Sequence, residues 1–343
     1  MKALLYTGPH RFEYTDVPDP EPGSRDVRVR VKACGICGSD VQGATGETGR
    51  RIPPLIMGHE AAGVVEDTGR EITSFEPGDR VCFDSTVYCN ECPACKQGLY
   101  NRCDARQVLG VSTPDFKRHG AMAEYVTVPV WIVEPLPDSM TFVQAALLEP
   151  VSIAAHAANR AAFNQEETVA VMGAGTIGLL VLQTARLKGA THVISIDVDD
   201  SRLQVAAALG ADRTFNPAEC DVVEQVTSET DADGVDVSFE VVGLEETFRN
   251  AMAMTQTGGQ LVAIGNVRET VGINLQKLVS RELTFRGSYA SAGEFRIAVD
   301  LVASGRVNVK PLISDVMPLS QGARAFQRLQ KAEEDLIKIV LTP

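Results

Sequence analysis

Cysteines open the reading of this sequence, because thiolates bind metal ions and spacing decides whether they can do so together. Four of the eight, Cys89, Cys92, Cys95 and Cys103, stand in one polar loop with two, two and seven residues between them. Four thiolates at such intervals close a tetrahedral zinc shell with no free position, which is the chemistry of a structural site. A nucleic-acid zinc finger is disfavoured by charge. Only Lys96 and Arg102 are basic nearby, and 32 Lys and Arg face 45 Asp and Glu, a net charge of −13 that repels phosphate backbones.

A second set is more widely spread: Cys34-Gly35-Ile36-Cys37-Gly38-Ser39-Asp40, then Gly58-His59-Glu60, then Glu149-Pro150. Taken alone, Cys34 and Cys37 are open to reading as a redox pair, and His59 as a packed core histidine. Taken together, one thiol, one imidazole and carboxylates form an incomplete shell. Such a shell leaves a coordination position for substrate, as catalytic zinc requires.

A third set binds phosphate. Val169-Ala170-Val171-Met172 runs into Gly173-Ala174-Gly175-Thr176-Ile177-Gly178, and an amphipathic stretch follows. Glycines there permit a tight turn and close approach of the backbone to a pyrophosphate, while the helix start supplies N–H groups and positive dipole. On its own the motif is weak. Here a strand precedes it, a helix follows, and Ile194-Ser195-Ile196-Asp197 places a carboxylate at the end of the next strand, about 20 residues on, where it accepts from a ribose hydroxyl and repels a 2′-phosphate. NAD is therefore favoured over NADP, with Arg202 the nearby base that offsets Asp197.

These sets need elements to hold them. Early in the chain apolar and polar residues alternate, as in Asp26-Val27-Arg28-Val29-Arg30-Val31-Lys32, the period of a half-buried strand. Residues 1–150 read as all-β. From Thr168 apolar strands are expected at 168–172, 192–196, 235–240 and 260–264, alternating with helices at 176–188, 200–209 and 245–255. This is the pattern of βαβ units on a parallel sheet. A helix near 293–304 and a closing strand at 337–341 complete the chain. The 343 residues are enough for two domains. No apolar run reaches the ~18 residues of a membrane span. The opening Met1-Lys2-Ala3-Leu4-Leu5-Tyr6 lacks the layout of a signal peptide, so the expectation is a cytoplasmic protein with reduced thiols and no nucleic-acid or membrane partner.

The strings at 34–40, 58–65, 89–103 and 149–156, with Val-Asn-Val-Lys-Pro-Leu at 307–312, resemble the zinc-dependent medium-chain dehydrogenases. Within them they are most similar to the polyol branch of sorbitol dehydrogenase and its sugar-alcohol relatives. The resemblance implies a mixed α/β and β fold. A GroES-like catalytic domain at 1–150 and 285–343, with its structural zinc lobe at 89–103, is interrupted by a doubly wound Rossmann domain for NAD at 151–284. The active site is expected in the cleft between them. By the same resemblance Cys37, His59 and Glu60 or Glu149 match the catalytic zinc ligands and Cys34 does not. Ser39 matches the hydroxyl that handles the substrate proton, and Asp40 the carboxylate that orients His59. Gly173, Gly175, Thr176, Ile177, Gly178, Asp197 and Arg202 fall to the cofactor.

The sequence departs from that family at Gln42, where many relatives carry a histidine that can relay a proton. Near Arg286-Gly287-Ser288-Tyr289 no counterpart aligns to the Arg-Tyr pair that sorbitol dehydrogenases use on substrate. The expected activity is NAD- and zinc-dependent oxidation of a polyol or related secondary alcohol, by a homodimer or homotetramer. Alternatives are a sugar-alcohol phosphate substrate met by Arg50 and Arg51, a threonine-type dehydrogenase, and, in another class, a non-catalytic redox sensor that binds NAD and zinc.

Overall fold

The computed structural model of the chain describes every residue except 165, 231, 232, 332 and 334. Its contacts divide the chain into two units. The first gathers Met1–Ser152, Ser291–Gly305 and Val309–Pro343; the second holds Ile153–Ala290 and Arg306–Asn308.

In chain order, the strands that position the sites begin with β1 (Asp26–Gly35), β2 (Glu60–Thr68), β3 (Arg80–Phe83), β4 (Tyr125–Pro129) and β5 (Val133–Pro135). Next come β6 (Glu167–Met172), β7 (Ala190–Ile196), β8 (Arg213–Phe215), β9 (Val235–Glu240), β10 (Thr255–Ala263) and β11 (Thr284–Gly287). The series ends with β12 (Ile313–Pro318) and β13 (Lys338–Thr342).

In the first unit the sheet runs β5-β3-β2-β1-β13-β12, with β4 also paired to β1. The alternation read in β1 has its physical cause here, since Val27, Val29 and Val31 are buried in the core while Arg28, Arg30 and Lys32 point away from it. Late strand β13 joins early strand β1 through Val340 opposite Gly35 and Leu341 opposite Cys34. The expectation of an all-β start needs correction. Helix α1 (Gly38–Gly43) follows β1 directly, and helix α2 (Leu148–Arg160) begins in the same unit. A six-residue helix is too short to leave a 3.6-residue signature. Its start is fixed by a cap, with the Cys37 N–H donating to Asp40 Oδ2 at 3.3 Å.

The second unit is a six-stranded sheet in the order β8-β7-β6-β9-β10-β11, every pair parallel. That is the doubly wound order, whose reversal beside the first strand marks the ligand crevice. Helix α3 (Thr176–Lys188) follows β6 and α4 (Asp200–Ala208) follows β7. Gly178 in α3 is required by close packing, because a Cβ there would collide with the Gly173 carbonyl oxygen. Gly173 itself sits at φ +105°, a conformation open to glycine without penalty. Among the described residues no helix is long and apolar enough to cross a membrane.

Candidate functional site

Cysteines 89, 92, 95 and 103 come together. Their four Sγ atoms lie within 4.8 Å of one another, with Cys89 to Cys95 at 3.9 Å and Cys92 to Cys95 at 3.5 Å. Four sulfurs at Zn–S ≈ 2.3 Å around a tetrahedral ion stand about 3.8 Å apart, so the set fits zinc. The backbone supports the charged form. The Cys92 N–H donates to Cys89 Sγ and the Cys89 N–H to Cys103 Sγ, each at 3.3 Å. N–H groups of Glu91 and Cys92 directed at Cys89 bring its thiol down to about 6. All eight cysteines are free thiols.

The second cluster is built where β1, α1 and β2 meet. Cys37 caps α1, His59 immediately precedes β2 and Glu60 is its first residue. Their Cys37 Sγ, a His59 ring nitrogen and a Glu60 oxygen lie within 4.8 Å of one another. Sulfur, imidazole and carboxylate suit zinc. The imidazole Nδ1 faces Asp40 Oδ1 at 3.6 Å, an ion-pair rather than a hydrogen-bond distance, and is buried with no hydrogen-bond partner. With Nδ1 directed at a carboxylate, Nε2 is the nitrogen left for a cation. Burial alone would lower the His59 pKa, but Asp40 raises it well above the usual range. Burial likewise favours neutral Asp40, yet His59 and Arg51 hold the carboxylate well below its ordinary value.

Of the two candidate carboxylates, Glu60 stands in the cluster and Glu149 outside it. Glu149, in the first turn of α2, accepts from Ser85 Oγ at 2.7 Å, and burial pushes it up to about 7. His59 and Glu60 are close enough to act on its charge. Ser39 and Gln42 are exposed residues of α1, three positions apart.

Sequence reasoning missed three participants. Lys338 on β13 bonds Glu60 from a distance of 278 residues; its only local signal is one lysine in the apolar run Ile-Lys-Ile-Val-Leu. Asp84 is buried at the end of β3 beside Ser85, accepts from the Thr86 N–H at 2.9 Å and from Ser291 Oγ at 3.3 Å, and is pushed up to about 6 by burial. Arg51, read from the sequence only as an alternative phosphate contact in a solvated loop, is buried and bonded to Asp40 at 3.0 Å.

In the second unit the glycine loop joins β6 to α3, with Thr176 and Ile177 opening the helix and Asp197 just past β7. Asp197 Oδ2 accepts from the Ala174 N–H at 2.6 Å and Oδ1 from the Asp199 N–H at 3.0 Å. Arg202 pairs with Asp199 at 3.4 Å, so its charge is spent locally. The loop, the dipole of α3 and the carboxylate together suit a dinucleotide.

Comparison with known proteins finds relatives along the length of the chain. The alcohol dehydrogenase GroES-like domain matches residues 23–138 and the zinc-binding dehydrogenase domain residues 176–304. D-xylulose reductase A of Aspergillus niger is 35% identical over 96% of this chain and 93% of its own. Sorbitol dehydrogenase of Bacillus subtilis (strain 168) is 32% identical over 100% and 97%. A zinc-binding dehydrogenase from Sinorhizobium meliloti 1021, solved bound to NADP, superposes with a TM-score of 0.92 at 33% identity, covering 100% of this chain and 99% of that one.

Proposed function

The chain belongs to the zinc-binding dehydrogenases with a GroES-like domain, in their polyol dehydrogenase branch, and we propose that it oxidises a secondary hydroxyl of an unphosphorylated polyol to a ketone with NAD as acceptor. The enzyme class, polyol oxidation, zinc and a nicotinamide dinucleotide come with the family. The observation that carries the finer reading is the meeting of Cys37, His59 and Glu60 in one cluster, beside a separate, closed set of four cysteines.

The residues 1–150 and 285–343 are assigned to the catalytic domain and 151–284 to the cofactor domain. Cys37, His59 and Glu60 would hold the catalytic zinc, with Glu149 the further carboxylate, and Cys89, Cys92, Cys95 and Cys103 the structural zinc. When bound, zinc supplies Lewis acidity toward the substrate hydroxyl and NAD takes up the hydride. Asp40 orients His59. Ser39 accepts the hydroxyl proton and hands its own outward. Gln42 orders the next water but takes up no proton at neutral pH, so proton release runs through water. The substrate would lose one hydride from carbon and one proton from oxygen, the two-electron balance that a bound nicotinamide dinucleotide would supply.

Two observations narrow the substrate and cofactor. Arg51 is committed to Asp40, which weakens the reading of an Arg50–Arg51 phosphate clamp. Arg202 is committed to Asp199, which leaves Asp197 to favour NAD. The assembly proposed is a homodimer or homotetramer. Strand β11 ends its sheet, and the neighbouring helix Leu275–Ser280 exposes Leu275 at 63% and Val279 at 67%, an apolar edge of the kind that subunits cover. A reducing, cytoplasmic setting, in which the proposed thiolate ligands stay reduced, belongs to the same proposal.

NADH formation with a panel of polyols, sugar-alcohol phosphates and threonine tests the reading. Turnover of one or more free polyols is expected. Turnover confined to a phosphorylated substrate or to threonine overturns the substrate class. Silence throughout, in protein that binds zinc and NAD, favours the sensor.

A further inference from the structure

Arg51 lies between α1 and β2, in a glycine-rich segment whose side chains would ordinarily be solvated. Instead the residue is 6% exposed. Its Nη2 donates to Asp40 Oδ1 at 3.0 Å and its Nη1 to the Arg50 carbonyl at 3.1 Å. The same Asp40 oxygen faces His59 Nδ1 at 3.6 Å, and the other accepts from the Cys37 N–H. Asp40 thus addresses two of the three residues of the proposed metal centre, and Arg51 is the cation bonded to it. The backbone around Arg51 is held as well: the Ile52 N–H donates to the Ser112 carbonyl at 3.1 Å and the Ser112 N–H to the Arg50 carbonyl at 3.2 Å. Room for the arginine stem comes from Gly43, where a Cβ would meet Arg51 Cγ.

We propose that Arg51 is a positioning residue for the metal centre, acting through Asp40 on His59 and Cys37 and so setting the affinity of the site for zinc. Without the guanidinium the buried carboxylate loses the bond that fixes its orientation toward His59 Nδ1 and the Cys37 N–H, and the imidazole and the start of α1 lose a common anchor. The planar guanidinium suits the task because it bonds the carboxylate and a carbonyl at once. This inference rests on the reading of Cys37, His59 and Glu60 as zinc ligands.

The test uses the full chain and zinc alone, with affinity measured by competition against a chelator and the site probed by its cobalt(II) absorption bands. Arg51→Met should weaken one of the two zinc ions by ~10–100-fold, the range of such outer partners, shift the cobalt bands of that site and leave the cysteine knuckle loaded. Arg51→Lys should restore most of the affinity. Should Arg51→Met fail to fold, Gly43→Ala carries the same test, because it keeps the charge and displaces the stem. Wild-type affinity and unchanged bands in the foldable variants, whatever their melting temperature, overturn the proposal. Failure of the underlying reading looks different: Cys37→Ala would then keep both zinc ions.

Discussion

Lys338 Nζ bonds both carboxylate oxygens of Glu60, at 2.8 and 2.6 Å, and the two side chains are 2% and 1% exposed. Removing one partner of such a buried pair strands the other charge, at a cost of about 3–5 kcal/mol, whereas removing both can be nearly neutral. Lys338→Met should therefore lower unfolding stability by that order, and Lys338→Met with Glu60→Gln should recover most of it. Urea unfolding of the two variants in zinc-free protein, which keeps the proposed metal role of Glu60 out of the comparison, checks this. A single variant within ~0.5 kcal/mol of wild type, the range of ordinary surface changes, would show that the pair contributes nothing.

Two metal sets with different openness imply two phenotypes. Cys37→Ala should lose one zinc per chain and all activity while remaining folded. Cys92→Ser should lose the other zinc and mainly stability. Zinc counting by mass spectrometry alongside melting curves separates them, and equal loss of stability in both would remove the division of labour.

Asp197 has two tasks that substitution can divide. Asp197→Ala loses the charge and the acceptor for the Ala174 amide; Asp197→Asn keeps an acceptor there. Both should raise the Michaelis constant for NAD by ~10–100-fold, corresponding to a charge-assisted hydrogen bond of ~1.5–3 kcal/mol, and narrow the gap to NADP, with the alanine variant the worse. Steady-state kinetics with both cofactors decides. A wild-type preference for NADP would show that repulsion by Asp197 does not govern the choice.

Asp84 predicts a pH dependence. Its folded pKa of about 6 stands above the 3.8 of an ordinary aspartate, so the folded protein binds the proton more tightly than the unfolded chain. The group then costs nothing below pH ~4, and stability falls as pH rises toward 6. Asp84→Asn, whose amide can bond both Thr86 and Ser291, should match wild type near pH 4 and exceed it by about 3 kcal/mol at pH 7, at ~1.4 kcal/mol for each tenfold difference in proton affinity. Melting curves across that range give the difference, and a gap that does not change with pH would refute it.

How much of this was legible in the sequence depends on the range of the interaction. Strand β9 and helix α3 have the expected limits, because each is set by a local apolar pattern between breakers. The cysteine knuckle is local as well, since its four ligands fall within one loop. The ring of residues around the second cluster is not. Lys338 reaches Glu60 only because β13 is inserted beside β1, and no periodicity in either segment encodes that pairing. Arg51 misled for the opposite reason. A basic pair in a glycine-rich loop looks solvated, and only the fold reveals that a buried carboxylate waits for one member of it.

The place of β13 also bears on how the polypeptide is made. It is the last strand in chain order, yet it lies between β1 and β12 and brings Lys338 to Glu60. All six strands of the second unit lie within Ile153–Ala290, so that sheet can close while the rest of the chain is still in the ribosome. The first unit must wait with Glu60 uncompensated and the Cys34–Gly35 edge of β1 unpaired. Its sheet is thus the later of the two to be completed, although its first strands were the earliest to be translated.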